Sequence, residues 1–291
     1  MSLSVIVASY NSARTLERCL ESLSAQPEAD EIIVADCSQE DPAVALSGQF
    51  PKVRFLHFDR ELTVPELRWA GYNASKGDII AVTEARCVPD RRWCRELIRA
   101  HREMMGAAAI GGPITIESGK PFDIALYFCE YGLHSPPVAS TAVRITSGAN
   151  MSYKRPLLEA SRDLINAGAW ETLLHQRWLD QGHSLRMCPA QVVFENSMDL
   201  RTAIQQRFHY GRGYAGDRIS GKHLAARVAY AMLCPLLPGL IMGRLARIAL
   251  RKKRMQEYAR ALPWIAFFSV NWSAGEMAGY LFGSARRRRN F

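Results

Sequence analysis

The chain has 291 residues, of which 48% are apolar, and it carries 37 Lys and Arg against 28 Asp and Glu, a net charge of +9. This composition supports a sizeable core and excludes a disordered or fibrous protein, and the length allows one large domain or one domain with an appendage. The seven cysteines form no Cys-x-x-Cys pair and no zinc-type spacing, which indicates reduced thiols in the cytosol and excludes a zinc-finger protein.

Short β-rich runs alternate with amphipathic stretches through residue 110. The runs predict strands at 3–8, 31–35, 53–57, 78–83 and 107–116. Leucines at helical spacing after Asn11 and Ser12 predict a first helix, and a second begins near Asp90. This alternation is typical of βαβ units, so we predict an α/β fold with a mainly parallel sheet flanked by helices. Because the chain enters a strand at once, we expect no export signal.

Polar residues follow the predicted strands. Tyr10 and Asn11 follow the first strand, Asp36 ends the second, and Glu84 and Arg86 follow the fourth. Open α/β sheets bind ligands at the carboxyl ends of their strands. These side chains are therefore candidates for chemistry rather than for solubility.

The second half of the chain continues the mixed pattern. We predict a loop and strand at 146–152, a helix at 170–181, an extended segment at 185–195 and a helix at 200–214. These elements complete a predicted globular domain of residues 1–218. A helical, basic, membrane-associating region then follows at residues 219–291.

The positive charge is concentrated in the last third of the chain. Residues 1–200 hold 20 basic and 25 acidic side chains, whereas residues 201–291 hold 17 basic and three acidic ones. This asymmetry indicates an anionic partner, either nucleic acid or a membrane surface. The basic residues are interleaved with long apolar runs rather than with stacking aromatics, so we expect a membrane surface and no nucleic acid.

Two apolar runs define this region. The run 229–243 is broken by Pro235 and Pro238 and is too short to cross a bilayer comfortably, since a spanning helix needs about 20 apolar residues. The run 263–283 is long enough. Because the segment between them is strongly basic, we expect both runs to enter from and return to the cytoplasmic face of the plasma membrane.

The basic cluster Arg286–Arg289 would add attraction to anionic lipid, at about 1 kcal/mol per residue. The region is then peripheral or re-entrant. The alternative is a soluble helical cap whose charges are solvated.

Four segments resemble a known family in their order and spacing. They are Ala8-Ser9-Tyr10-Asn11, Ala35-Asp36-Cys37-Ser38-Gln39-Glu40-Asp41, the stretch from Arg68 to Asp78, and Glu84-Ala85-Arg86. Over roughly residues 3–215 this succession resembles the inverting family 2 glycosyltransferases of GT-A fold. Their motifs are (P/A)-x-Y-N, V-D-x-x-S-x-D, R-N-x-G-x-x-x-A-x-G and a metal-binding D-x-D. The resemblance implies a Rossmann-like sheet and a UDP- or GDP-linked sugar donor lying across the strand ends.

The resemblance also implies roles for single residues. Asp36 matches the acid that contacts the base, Tyr10 and Asn11 match the first nucleotide loop, and Arg68 and Gly71 match the R-x-x-G segment. From the residues alone, an Asp at a strand end can equally cap a turn.

The metal motif departs from the family pattern. Glu84 falls on the first acid of D-x-D and Arg86 on the second. Carboxylates bind Mn²⁺ or Mg²⁺, whereas an arginine binds anions. Either Glu84 ligates a metal while Arg86 faces the diphosphate, or Arg86 replaces the metal as a phosphate partner. A third interpretation is that Glu84 and Arg86 pair with each other or with Asp90 and that the donor site is vestigial.

The acceptor side is implied by two further segments. Gly148 and Asn150 lie in a stretch that resembles the G-x-N-x-x segment of the family. Glu171 falls where the family carries an E-D pair whose acid deprotonates the acceptor, with Thr172 in place of the second acid. The alternative for Glu171 is an ordinary glutamate of a first helical turn.

Three features of the last third complete the pattern. Arg207 and Arg212 could contact the diphosphate or lipid phosphate, or belong to a solvated basic face. Residues 275–280 resemble a G-E-x-x-G-Y tail of some membrane-associated family members. Glu276 needs a partner in its apolar run, and we expect Arg244 or Arg247.

These observations predict a membrane-associated glycosyltransferase of cell-envelope polysaccharide synthesis. It would move one sugar, with inversion, from a nucleotide-diphosphate donor to a lipid-linked or membrane-proximal acceptor. The alternative is a catalytically impaired pseudo-glycosyltransferase that binds nucleotide sugar, or nothing, and acts as a scaffold at the membrane.

Overall fold

The computed structural model describes residues 1–138, 142–167, 169, 171–219 and 223–283, and the side chains of Glu171 and Asp217 lie outside this description. The chain forms two compact units. Unit 1 comprises Met1–Glu117 and His134–Ser197, and unit 2 comprises Ser118–Leu133 and the described part of Met198–Phe291. The domain border that the sequence predicts after residue 218 stays a prediction.

The strands all belong to unit 1. They are β1 (Leu3–Ser9), β2 (Glu31–Asp36), β3 (Val53–His57), β4 (Ile79–Glu84), β5 (Cys87–Pro89), β6 (Ala107–Gly111), β7 (Ile114–Ile116), β8 (Asn150–Lys154), β9 (Ser184–Met187) and β10 (Val192–Phe194). Seven form a sheet of order β3-β2-β1-β4-β8-β6-β9, in which β3, β2, β1 and β4 are parallel and β8 is antiparallel to both neighbours. The predicted mixed α/β sheet is confirmed.

Helices lie in both units. They are α1 (Ala13–Ser24), α2 (Pro42–Leu46), α3 (Val64–Ala74), α4 (Trp93–Glu103), α5 (Pro121–Tyr131), α6 (Arg155–Glu159), α7 (Arg162–Asn166), α8 (Glu171–Asp180), α9 (Leu200–Arg218), α10 (Leu224–Leu233), α11 (Leu237–Arg251) and α12 (Met255–Phe282). Helices α5 and α9 to α12 belong to unit 2.

Helix α3 has a strong start signal that the sequence prediction did not use. The Thr63 hydroxyl accepts from the Glu66 N–H at 3.2 Å, and the Glu66 carboxylate accepts from the Thr63 N–H at 2.7 Å, a complete capping box. Gly71 lies on the buried face of this helix, where a Cβ would overlap the side chain of Ile6. The missing side chain lets α3 lie against β1.

The single strand predicted at 107–116 is wrong. The chain leaves the large sheet after Gly111 and joins a second sheet, of order β5-β10-β7, at Ile114. Pro113 cannot donate to a strand ladder, and a Cβ on Gly112 would overlap the Ala190 carbonyl. The extended segment predicted at 185–195 divides in the same way, into β9 and β10.

A buried histidine lies between α4 and the large sheet. His101 is fully buried, and its Nε2 lies 2.9 Å from the Ser152 hydroxyl, which itself donates to the Ile110 carbonyl. Nε2 therefore carries the proton, and within the described residues Nδ1 has no hydrogen-bond partner. Burial, with a smaller contribution from the Lys154 ammonium, lowers the pKa of His101 to about 4.

This pKa predicts acid sensitivity. The pKa of His101 is lower in the folded protein than in the unfolded chain. Its contribution to the unfolding free energy is therefore fully present above the unfolded pKa and is lost as the pH falls toward 4. We expect the unfolding free energy to fall by about 2 kcal/mol more between pH 7.5 and pH 5.0 in the wild type than in His101→Gln. Urea unfolding at both pH values checks this, and parallel pH dependence of the two proteins would contradict it.

Helix α12 is a packed element of unit 2. Ile265 and Phe268 are fully buried, and a Cβ on Gly275 would overlap the Phe208 carbonyl of α9. The predicted apolar run 263–283 lies largely within this helix. Its apolar character therefore serves, at least in part, to pack against the other helices of unit 2.

The prediction that Arg244 or Arg247 pairs with Glu276 is wrong. Its carboxylate is buried and accepts from Trp272 Nε1 at 2.6 Å and from the Tyr280 hydroxyl at 2.9 Å. Arg244 and Arg247 are both exposed. The carboxylate is satisfied by residues one turn before and one turn after it on its own helix.

The run 229–243 belongs to a helical stretch that is longer and less broken than the sequence predicted. Among the described residues, one helical stretch, Leu224–Arg251, is long and apolar enough by length and composition to cross a membrane, and only 11% of its apolar window is buried. Pro235 and Pro238 lie in the first turns of the short 3₁₀ helix Cys234–Leu236 and of α11. A first turn does not need the N–H that proline lacks, so neither residue interrupts the stretch.

Candidate functional site

The carboxyl ends of four parallel strands bring the candidate residues to one edge of the large sheet. Asp36 is in register with Ser9 on one side and with His57 on the other, and Glu84 is in register with Ala8. Asp36 and Glu84 thus lie on strands that flank β1, roughly 10 Å apart at ordinary strand spacing. This edge offers polar groups over the length of a nucleoside diphosphate.

The loops after β1 and β2 are tied together. The Asn11 N–H donates to the Ser38 hydroxyl at 2.7 Å, and the Gln39 N–H donates to Asn11 Oδ1 at 3.2 Å. Asn11 has a φ of 47°, a left-handed conformation that asparagine adopts more readily than most residues. Burial and the nearby Glu61 carboxylate raise the pKa of Tyr10, so its phenol stays neutral and can donate a hydrogen bond.

Asp36 is held rigidly at the end of β2. The carboxylate is 1% exposed and accepts from the Ser38 N–H at 2.9 Å and the Ser38 hydroxyl at 2.6 Å. His57 Nδ1 lies 3.1 Å from Oδ1. Asp36 therefore forms the turn that the sequence allowed, and its carboxylate oxygens, each with two lone pairs, retain some acceptor capacity for a ligand. Sequence reasoning missed His57, although it is the last residue of a correctly predicted strand.

Glu84 forms an ion pair with Arg68 of α3. Arg68 Nη2 lies 2.8 Å from Glu84 Oε1, and the two side chains are only 4% and 15% exposed. Little solvent screens this pair, so separating its members is costly. The sequence placed both residues in the site but did not show that they bind each other.

Arg86 lies in the turn that joins β4 to β5. Its guanidinium carbon is 5.7 Å from the centre of the Phe194 ring, and its carbonyl accepts from the Glu195 N–H at 2.8 Å. The residue is 8% exposed. The second sheet thus fixes a cation next to the end of β4, two residues after Glu84.

The donor set at this edge offers Mn²⁺ or Mg²⁺ few protein ligands. Hard cations require several oxygen ligands. Among the described residues no group of three or more His, Cys, Asp and Glu side chains could hold a metal ion. The one acid kept from the metal motif, Glu84, is bound to Arg68, and the position of the second acid is a cation, Arg86.

Asn150 has an architectural role that its position in the sequence did not reveal. It is fully buried, and its Nδ2 donates to the Pro113 carbonyl at 3.0 Å and the Ala190 carbonyl at 2.8 Å. Its Oδ1 accepts from Trp93 Nε1 at 2.8 Å. Gly148, two residues earlier, is buried as well. Contact of Gly148 or Asn150 with a ligand stays a prediction.

The predicted general base lies at the beginning of α8. Glu171 is the first residue of this helix, but its side chain lies outside the described part of the structure. Trp170 lies outside it as well. The role of Glu171 therefore stays a prediction.

The two predicted phosphate contacts of α9 differ in environment. Arg207 is 5% exposed and stacks 4.6 Å from the centre of the Trp272 ring, and its Nε has no hydrogen-bond partner among the described residues. It does not belong to a solvated face. Arg212 donates to the Gly283 carbonyl at 3.1 Å, which caps the end of α12. A phosphate role stays a prediction for both residues, and one nitrogen of Arg212 is engaged in the fold.

Comparison with known sequences places these observations in a family context. The model of the family described as "Glycosyl transferase family 2" matches residues 4–160. The succinoglycan biosynthesis protein ExoO of Rhizobium meliloti (strain 1021) is 37% identical over 83 residues, which are 28% of this chain and 24% of that protein. The match spans about a quarter of the length of this relative.

Comparison with solved structures concerns the fold. The mannosyltransferase PcManGT from Pyrobaculum calidifontis, solved with GDP-Man and Mn²⁺, aligns with a TM-score of 0.58 at 16% identity over 97% of this chain and 88% of that chain. Residues 1–349 of S. aureus TarS align with a TM-score of 0.50 at 14% identity, over 99% and 93% of the two chains. The GT-A fold that the sequence predicted is confirmed.

Proposed function

Because the chain belongs to glycosyl transferase family 2, whose model matches more than half of it, we propose that it transfers one sugar, with inversion, from a nucleotide-diphosphate donor to a lipid-linked or membrane-proximal acceptor. The observation that carries the proposal is the set of charged side chains at the strand ends. Asp36 ends β2, Glu84 ends β4 and Arg86 follows β4, and these two strands flank β1 in the sheet.

The base of the donor would be bound at the end of β2. The rigid Asp36 carboxylate can accept from a ring N–H, which uracil and guanine both offer, so UDP- and GDP-linked donors are proposed alike. Tyr10, on the loop tied to this turn, offers an aromatic face and a neutral hydroxyl. The ordering of both loops by Asn11 reduces the conformational entropy lost on binding.

The diphosphate would be stabilised by Arg86. A guanidinium offers two parallel N–H donors to phosphate oxygens, and it is most effective when it is already in place as charge develops on the leaving group. In the Arg68–Glu84 pair the two opposite charges neutralise each other. Its proposed role is to hold the end of β4 and thereby the position of Arg86.

The transfer itself would be a single displacement. Glu171 would take the proton of the acceptor hydroxyl as the acceptor oxygen forms its bond to the anomeric carbon. The bond from that carbon to the diphosphate breaks at the same time, and the diphosphate leaves with the electron pair. Attack opposite the leaving group inverts the anomeric configuration.

A membrane-proximal acceptor is proposed from unit 2. The exposed apolar stretch Leu224–Arg251 and the basic character of the last third support attachment at the cytoplasmic face of the plasma membrane. The partial similarity to a succinoglycan biosynthesis protein supports a role in cell-envelope polysaccharide synthesis.

The base contact can be tested with a matched pair of variants. Asp36 and Asp41 each accept from a backbone N–H two residues later, at 2.9 and 2.8 Å. Asn can keep that turn, but its amide nitrogen cannot accept from a base. We expect Asp36→Asn to weaken UDP or GDP binding by about 10- to 100-fold in calorimetry, and Asp41→Asn to leave it unchanged. Equal affinities of the two variants would contradict the assignment.

A further inference from the structure

One face of α10 and α11 is lined by exposed apolar side chains. These residues, which we call the apolar stripe, are 43% to 75% exposed and recur every four positions: Leu224, Val228, Met232, Leu236 and Leu240. Residues four apart are neighbours on a helix surface, so the stripe forms one continuous ridge that winds along the exposed part of the two helices. Isolated exposed leucines are ordinary, but a row of five indicates an interaction surface.

The exposed surface next to Leu240 becomes basic after the stripe ends. Arg244, Arg247 and Arg251 continue the spacing of three and four residues, and all three are exposed. We call these residues the basic stripe. The described residues 223–283 hold two acids, Glu257, which binds Arg254 at 3.0 Å, and the buried Glu276. Neither compensates the three exposed arginines.

The opposite side of α10 is covered by unit 2 itself. Ala231 and Cys234 are buried, and the Cys234 carbonyl accepts from the Ser273 hydroxyl of α12 at 3.0 Å. Arg227, the one charged residue between 224 and 243, donates to the Tyr280 carbonyl at 3.0 Å. It therefore serves the protein side, and the apolar stripe is free of charge.

The dimensions favour a position in the membrane interface over a full crossing. From Leu224 to Leu240 the stripe is about 24 Å long at 1.5 Å per residue, shorter than the hydrocarbon core of about 30 Å. The basic stripe follows at once, at the level where lipid phosphates lie. A helix with one apolar side, a basic end and a protein-covered back is typical of an interfacial anchor.

A second copy of this chain fits the face poorly. An antiparallel pairing over the whole face would place Leu224 against Arg251, and a parallel pairing would place the arginines against one another. Either arrangement buries uncompensated positive charge, which is costly. Lipid phosphates instead supply negative charge beside an apolar phase.

We infer that this face of α10 and α11 binds the surface of an anionic bilayer, with the apolar stripe inserted below the phosphates and the basic stripe bound to them. The inference rests on the proposed function for its membrane-proximal acceptor. It names the surface that holds the chain beside that acceptor, and it leaves the donor site unchanged.

The apolar stripe is tested by vesicle flotation of the full chain. We expect the wild type to bind vesicles of phosphatidylcholine with 30% phosphatidylglycerol, and Met232→Ser/Leu236→Ser/Leu240→Ser to bind at least about a hundredfold more weakly. All three side chains are exposed, so the variant keeps its core. The matched control is Val44→Ser/Met105→Ser/Ile145→Ser, which removes equally exposed apolar side chains of unit 1.

The basic stripe is tested by lipid charge. Arg244→Gln/Arg247→Gln/Arg251→Gln should bind the anionic vesicles about a hundredfold more weakly at low salt and should equal the wild type on pure phosphatidylcholine. The control, Arg91→Gln/Arg92→Gln/Arg102→Gln, removes three exposed arginines of unit 1 and should bind like the wild type.

Three outcomes would overturn the inference: a wild type that does not float, a serine variant that floats like the wild type, and a dimer in sedimentation that the serine variant loses.

Calorimetry with UDP and GDP keeps the two proposals apart. Unchanged nucleotide binding by a serine variant that no longer floats supports both. Flotation by the apolar stripe without any nucleotide binding would refute the proposed function and leave this inference standing.

Discussion

Glu171→Gln is expected to reduce glycosyl transfer by about 10²- to 10⁴-fold while donor binding stays unchanged. Glutamine keeps the size of the side chain but cannot accept the proton of the acceptor. Because the donor is bound by other residues, only the chemical step should suffer. Nucleoside diphosphate release in vesicles that contain polyprenyl phosphate measures the rate, and calorimetry measures donor binding.

The matched control is another glutamate of a first helical turn. Glu96 lies in the first turn of α4 and pairs with Arg99, so Glu96→Gln loses a favourable interaction with a helix dipole, typically about 0.3–1 kcal/mol, together with a surface ion pair of similar size. If Glu171 is only an ordinary first-turn residue, the two variants will share a small loss of stability and full activity. If both variants bind the donor but the wild type transfers no sugar, the alternative of a catalytically impaired scaffold protein gains support.

Arg86→Gln is expected to lower kcat by about 10²- to 10³-fold, the usual effect of removing a fixed charge donor from a developing anion. Added Mn²⁺ should not restore activity, since Glu84 remains bound to Arg68. Arg86→Lys should recover part of the rate, because an ammonium keeps the charge but loses the bidentate geometry. Steady-state rates with and without Mn²⁺ check this.

Two variants separate this role from a structural one. Arg155→Gln removes a guanidinium that stacks 5.3 Å from the centre of the Tyr72 ring, and it should leave donor turnover unchanged. Arg68→Gln removes the ion pair with Glu84 and should cost about 3 kcal/mol of unfolding free energy. A loss of stability in Arg86→Gln as large as that in Arg68→Gln, with a normal rate per folded molecule, would assign Arg86 to the fold.

The sheet was largely predictable because strand periodicity is a local property. The strand at 53–57 matches β3 at both ends, and the ends of β1, β2 and β4 differ from prediction by one residue. The break at Gly112 and Pro113 was visible in the sequence, but its meaning depends on the Ala190 carbonyl, which only the fold brings near. Local sequence patterns predicted the strands, whereas contacts between distant segments decided which of the two sheets each strand joins.

The partners of charged residues were less predictable. The sequence identified Glu84 as a site residue, but its pairing with Arg68 follows from the packing of α3, whose capping box was present and unused. For Glu276 a local signal did exist, since Trp272 and Tyr280 stand four residues away on either side. Long-range ion pairs require the fold, whereas pairs within one helix can be read from spacing.

The most direct test of the account is calorimetric titration of the wild-type chain with UDP- and GDP-linked sugars in the presence of EDTA and, separately, of Mn²⁺. Arg86 stands where the family pattern has the second acid, and Glu84 forms an ion pair with Arg68. We therefore predict that one of the donors binds with the same affinity in both buffers and that Arg86→Gln weakens this binding. Binding that requires Mn²⁺ and is lost in EDTA would contradict it.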